Sequence, residues 1–213
     1  HAAETFSAEY EAILGRIDLK NPEMGDILRG LRAKIAARDP VAHAIAQDHE
    51  RWRTTQLRAT ASGLPSDVRA SCAQADRSWP AIRGLGQEIR AGSRTVCLVG
   101  PPRCGKSTAA GLWLLAQDGG LWRTSATLAA LRESVHADRP ELFRVRAAPF
   151  LVIDDLHRGA ESADDHARIG EIVSARHDAL LLTVVTSNRR PQLGEAALAR
   201  LRICDCVAPA APL

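Results

Sequence analysis

Lysine is almost missing from this chain. It stands only at Lys20, Lys34 and Lys106, although lysine and arginine together number 28 among 213 residues. The cationic residues are therefore nearly all arginine, a bias that genome base composition explains without a functional cause. The formal net charge is only +3, so no overall field selects a nucleic-acid or membrane partner, and local clusters must carry that argument. No apolar run approaches the roughly 18 residues of a membrane span, and no charged-then-apolar leader opens the chain, whose first residue is His1. The five cysteines, Cys72, Cys97, Cys104, Cys204 and Cys206, are odd in number and unevenly spaced. That excludes a disulfide framework and points to a reducing compartment. Cys204-x-Cys206 lacks the second ligand pair of a zinc site, and His43, His49, His136, His157, His166 and His177 have no spacing that gathers three ligands. We expect a cytoplasmic protein with no membrane partner. Internal repeats and low-complexity tracts are absent as well, apart from an Ala-Pro tail at 208–212.

With 46% hydrophobic residues, a chain of this length buries one good core, which predicts one α/β domain with an appendage. The appendage reads as helical. Phe6, Tyr10, Ile13, Leu14 and Ile17 share one helical face, as do Met24, Ile27, Leu28, Leu31 and Ile35 behind Asn21-Pro22. A third helix is predicted from Asp39-Pro40, past Trp52, to a stop near Gly63. We therefore expect a helical, partner-docking region over 1–62 and the α/β domain over 63–213. In the latter, strands are predicted near 95–100, 120–124, 150–154, 181–186 and 203–207, with helices near 107–116, 126–135, 163–177 and 194–200. Such alternation gives a parallel, five-stranded sheet covered on both faces.

The chemistry begins after the first of those strands. Gly100-Pro101-Pro102-Arg103-Cys104-Gly105-Lys106-Ser107-Thr108 fits G-x-x-x-x-G-K-[ST] between a strand and an apolar helix, the pattern of a phosphate-binding loop, or Walker A motif. Glycines let backbone N–H groups surround the phosphates, and the helix N-terminus adds positive partial charge. Lys106 neutralises the outer phosphates, and Ser107 reaches Mg²⁺.

A second apolar strand ends in two carboxylates, Phe150-Leu151-Val152-Ile153-Asp154-Asp155, a Walker B pattern. Ligands of open α/β sheets gather outside the carboxyl ends of strands, which places both acids beside the loop. Asp154 would hold Mg²⁺ and Asp155 would orient the attacking water. A third strand, Leu181 to Thr186, runs into Ser187-Asn188, and Asn188 can donate to the γ-phosphate or the lytic water. This ending marks the P-loop ATPases with an extra strand between Walker A and Walker B. Near the end, Arg200 and Arg202 precede the last strand; either can reach a neighbouring subunit's ATP, and Arg200 is the first choice. Arg144, Arg146, Arg189 and Arg190 are candidates for nucleic-acid phosphate contacts or a solvated rim, while Trp113 and Trp122 read as packing.

From about residue 60 to 207 the chain resembles the DnaC, DnaI and IstB group of helicase-loader and insertion-sequence ATPases in the AAA+ superfamily. The resemblance rests on Ser62-Gly63-Leu64-Pro65, the Gly-Pro-Pro loop, Ile153-Asp154-Asp155-Leu156, Arg176, Thr186-Ser187-Asn188 and Arg200-Leu201. It implies a P-loop AAA+ core, ATP and Mg²⁺ as cofactors, Asn188 as sensor 1 and Arg200 acting in trans. It also implies a loader that docks on a hexameric replicative helicase through its N-terminal helices, grips single-stranded DNA and self-assembles. Two departures matter: Asp155 stands where the family usually has glutamate, one methylene longer, and the chain ends soon after the fifth strand, so the helical lid is expected to be reduced or absent. A transposition helper, or a nucleotide-gated adaptor with negligible turnover, are the alternatives.

Overall fold

The computed structural model describes residues 40–132, 135–158 and 162–207. The apolar stripes at 6–17 and 24–35 and the Ala-Pro tail lie outside them. Helix α1 (Pro40–Ser62) begins at the predicted proline and stops at Gly63, whose φ of 77° is open to glycine at little cost. A compact unit begins within this helix, at Thr55, and carries everything that follows.

Helices α2 (Ser66–Ala73) and α3 (Pro80–Arg90) lead into strand β1 (Thr95–Val99), then α4 (Lys106–Leu115), β2 (Leu121–Thr124) and α5 (Ser125–Ala130). A 3-10 turn at His136–Asp138 precedes α6 (Arg139–Ala147), β3 (Phe150–Asp154), α7 (Ala163–Asp178), β4 (Leu182–Ser187), α8 (Glu195–Arg200) and β5 (Arg202–Asp205). The sheet is parallel throughout, in the order β2-β3-β4-β1-β5. Strand β4 thus lies between the strand that feeds the phosphate loop and the one that ends in Asp154, the placement its Thr-Ser-Asn ending predicts. The domain is α/β, built on a parallel five-stranded sheet.

Both faces of the sheet are buried, and the strands divide with period two. Val96, Leu98, Phe150, Val152 and Val184 pack with Ala59, Leu64 and residues of α2, α3 and α4. Their neighbours Cys97, Val99, Leu151, Ile153 and Val185 pack on the other face with α5 to α8.

The helix expected over 126–135 is shorter, because the chain leaves α5 at Leu131 and the Arg132 N–H donates to Asp138 Oδ2 at 2.8 Å instead of continuing the helix. Helix α6 was not foreseen. Only Leu142 and Val145 along it are buried, too few to show a helical period. Helix α7 opens with a capping box in which Ser162 and Asp165 satisfy each other's backbone N–H.

Near the end of α7, Arg176 is fully buried. Its Nη1 donates to Val145 O at 2.7 Å and Ala148 O at 2.8 Å, its Nη2 to Leu182 O at 2.8 Å, and its Nε to Thr183 Oγ1 at 2.9 Å. One guanidinium thereby ties the C-terminus of α6 and the start of β4 to α7.

Candidate functional site

Strand β1 runs out at Val99, and Gly100 crosses a crowded point: its N–H donates to Ser187 O at 3.1 Å, and a Cβ there would lie 2.2 Å from Cys206 O. Only glycine fits. The chain then turns through left-handed conformations at Arg103 (φ 64°) and Gly105 (φ 89°) before α4 begins. The consecutive backbone N–H groups from Arg103 to Thr108 donate to no acceptor among the described residues. Unpaired N–H groups at a helix N-terminus form a nest with positive partial charge, the electrostatic complement of a phosphate chain.

Lys106, 7% exposed, is held by its own loop. Its Nζ donates to Gly100 O at 2.8 Å and Pro101 O at 2.7 Å, and lies 3.6 Å from Cys104 Sγ. The ammonium therefore stays with the nest, and the donor set of backbone N–H groups and one cation fits a polyphosphate. Cys104 is fully buried beneath the loop and all five cysteines are free thiols. Burial pushes Cys97 and Cys206 up to about 12, which makes them packing residues rather than nucleophiles.

The two acids follow β3. Asp154 Oδ1 accepts from Ser107 Oγ at 2.9 Å and from Thr186 Oγ1 at 2.6 Å. Burial pushes its carboxyl above the ordinary range, the two hydroxyls pull it back, and the Asp155 and Asp67 carboxylates add to the rise. A divalent cation at this oxygen would favour the ionised form. Among the described residues no cluster of three or more His, Cys, Asp or Glu could hold a metal alone. Ser107 and Asp154 fit Mg²⁺ in the way that ion is usually bound, by one or two protein oxygens together with phosphate and water.

Asp155 takes φ 56°, a left-handed conformation that Asp and Asn tolerate better than other non-glycine residues. Its backbone is pinned there. The Asp155 N–H donates to Thr186 Oγ1 at 2.9 Å, its C=O accepts from Ser125 Oγ at 2.6 Å, and the next N–H, of Leu156, donates to Thr186 O at 2.9 Å. The Asp155 carboxylate itself has no hydrogen-bond partner among the described residues and is free for a water.

The sequence reading singled out Asn188 and missed Thr186. The Thr186 hydroxyl donates to Asp154 and accepts from Asp155, so a single side chain sets both acids. The available signal was a threonine directly before the Ser187-Asn188 ending of the strand; Thr186 is 2% exposed. Ser125, the first residue of α5, was missed as well. Asn188 lies exposed one residue beyond β4, on the edge where loop and acids meet.

Arg200 lies elsewhere. It precedes β5, whose first residue pairs with Val96 near the start of β1, so it sits at the edge of the sheet opposite its own phosphate loop. There it pairs with Asp178 at 3.0 Å and donates to Ala196 O at 2.9 Å. Arg202 pairs with Glu88, Arg190 with Asp205 and Arg144 with Glu141, all across partly or fully exposed surface.

No protein-family model matches the chain, and no curated protein sequence does. Solved structures do. A DnaC helicase loader is 17% identical with a TM-score of 0.43, over 66% of this chain and 86% of that one. DnaI is 20% identical with a TM-score of 0.48, over 68% and 93%. This chain is similar to DnaC and DnaI. DnaA from Aquifex aeolicus, in its AMPPCP-bound form, is 12% identical with a TM-score of 0.49 over 58% of this chain, which spans 44% of DnaA.

Proposed function

We propose that this chain is an ATP-binding and ATP-hydrolysing AAA+ protein that loads a replicative DNA helicase onto single-stranded DNA. The observation that carries the ATPase reading is the joining of three strand ends by Ser107, Asp154 and Thr186 beside the open nest of N–H groups. Gly100 to Thr108 hold the phosphates, with Lys106 as the cation. Ser107 and Asp154 hold Mg²⁺, which supplies charge neutralisation at the phosphate oxygens. Asp155 takes the place of the group that orients and polarises water, and Asn188 is within the same edge to steady it. Because Arg200 faces away from its own loop, any part it has in hydrolysis is played on a neighbouring copy.

The loader assignment rests on the combined motifs, from Ser62-Gly63-Leu64-Pro65 to Arg200-Leu201, with the region over 1–62 as the surface for the hexameric helicase. The experiment is steady-state ATP turnover with and without single-stranded DNA, across protein concentration, with Asp155→Asn as the blank. Asparagine tolerates φ 56° as well as aspartate does, so this variant keeps the fold and nucleotide binding while losing turnover. Turnover that rises with DNA and more than linearly with protein is expected. Tight ATP binding with turnover no better than the blank would instead make the chain a nucleotide-gated adaptor, a reading favoured by the shorter reach of Asp155.

A further inference from the structure

Trp79 stands at the entry to α3, where its backbone is fixed on both sides. Its N–H donates to Asp76 O at 3.1 Å, and its C=O accepts from the Ile82 and Arg83 N–H groups at 3.0 Å. Pro80 follows at the first helical position. The indole lies against the phosphate loop: a Cβ on Gly105 would be 3.1 Å from Trp79 Cε3 and 3.7 Å from Cζ3. The six-membered ring of the indole thus touches the residue from which α4 and its nest of N–H groups begin.

Packing does not account for this ring. Ala81 and Leu85, on the same helix, belong to the apolar cluster under the sheet, as does Trp122, while Ile82 and Trp113 pack against it; Trp79 belongs to neither cluster. It is half-buried, beside a site whose other groups are backbone donors and one ammonium. A partly exposed aromatic side chain against a polyphosphate cradle is placed for the flat part of a nucleotide. The triphosphate in the nest leaves the nucleoside to extend from it, and a base is the one portion of that ligand with a π-face to offer.

We propose that Trp79 is the stacking platform for the nucleobase, and that it makes the site one for purine nucleoside triphosphates, selected by ring area rather than by the hydrogen-bonding edge of the base. The inference rests on the phosphate-loop reading above and deepens it. A ring face contacts every base and gains with overlap, so adenine and guanine are accepted alike and pyrimidines less well.

The test is equilibrium binding of ATP, GTP, CTP and inorganic tripolyphosphate, each with Mg²⁺, to the full chain and to its Trp79→Ala and Trp79→Phe variants. Tripolyphosphate carries the charge of the nucleotide without a base. Trp79→Ala is expected to weaken ATP and GTP about tenfold and to leave tripolyphosphate unchanged, with Trp79→Phe recovering most of the loss. ATP and GTP are expected to bind the wild-type chain within about threefold of each other, both more tightly than CTP. Unchanged ATP binding in Trp79→Ala, or an equal loss of ATP and tripolyphosphate, would overturn the stacking role, the latter by showing that Trp79 merely props Gly105. Failure of the wild-type chain to bind tripolyphosphate would instead remove the phosphate-loop reading itself. Should Trp79→Ala not fold, tryptophan fluorescence of the wild-type chain against Trp79→Phe decides, because the chain has four tryptophans: quenching by ATP but not by tripolyphosphate that Trp79→Phe loses is expected, and quenching that the variant keeps in full overturns the proposal.

Discussion

Replacing Arg176 with leucine tests whether a single buried cation holds the two halves of one sheet face together. The guanidinium is fully buried, and its hydrogen bonds among the described residues go to carbonyls and a hydroxyl rather than to a carboxylate. Its counter-charge is the ring of carbonyls at the C-terminus of α6, where the negative end of the helix dipole also lies, and burial lowers its pKa to about 10, which leaves it a cation at neutral pH. Leucine fills the aliphatic part of the space but leaves Val145 O, Ala148 O, Leu182 O and Thr183 Oγ1 without this donor. Hydrogen bonds from a charged donor contribute about 1.5 kcal/mol or more each, so four of them amount to roughly 6 kcal/mol gross. Relief from keeping a cation out of water returns about half. A net loss of about 3 kcal/mol is expected, a large share of the roughly 5–15 kcal/mol that holds a domain of this size. Urea unfolding followed by far-UV circular dichroism reads it as a lower midpoint with an unchanged slope. Arg176→Lys is expected to recover less than half, because one ammonium cannot span α6 and β4 as a planar fork does. A leucine variant with the wild-type midpoint would refute the reasoning. Nucleotide affinity of the folded variant should be intact, since Leu182 opens β4 at the edge of the sheet away from Thr186.

Asp154→Asn should stabilise the ligand-free protein while removing the Mg²⁺-dependent gain in nucleotide affinity. The folded pKa of Asp154 is raised by burial, so the fold disfavours its ionised form; this penalty is absent where the acid is protonated in both states, appears as pH rises through the ordinary carboxylate range, and persists above the raised value. Asn keeps the Oδ1 that both hydroxyls use. Thermal melting is therefore expected to be higher for the variant at neutral pH and to converge with wild type in acid, and a lower melting temperature at pH 7 would count against the assignment. Thr186→Val keeps shape and loses the hydroxyl, leaving the Asp155 N–H unpaired at a cost of about 1–3 kcal/mol. Turnover should fall much further than ATP affinity, with Thr186→Ser restoring it; turnover equal to wild type would show that the acids are set by something else.

The placement of Gly100 to Thr108 between a strand and a helix was legible from spacing, because G-x-x-x-x-G-K-S follows one apolar segment and opens another. The acids were legible for the same reason, as a polar end to a buried strand. Thr186 was not, since its importance depends on lateral register: β4 pairs with β3 so that Val185 faces Ile153, which sets Thr186 beside Asp154, and no pattern within one strand reports its neighbour. Ser125 comes from a segment far away in sequence and was hidden likewise. Helix α1 could be read to its last residue because proline opens it and glycine closes it, whereas α6 buries too little to declare itself.

The position of β4 explains why the site needs those hydroxyls. The phosphate loop leaves β1 and the acids leave β3, and with one strand between them they are about 10 Å apart, twice the spacing of neighbouring strands. A carboxylate on β3 cannot span that distance, and direct contact with Lys106 would neutralise both charges before a ligand arrived. Ser107 reaches across from the first turn of α4 to Asp154, and Thr186 supports the same oxygen from the strand in between. Lys106 meanwhile is satisfied by the carbonyls of Gly100 and Pro101. Cation and anions are thus held apart, each against neutral partners that hydrogen-bond without cancelling its charge. The space between them keeps unpaired N–H groups on one side and the free Asp155 carboxylate on the other, a polarity that suits a triphosphate with its Mg²⁺ and an attacking water in that order.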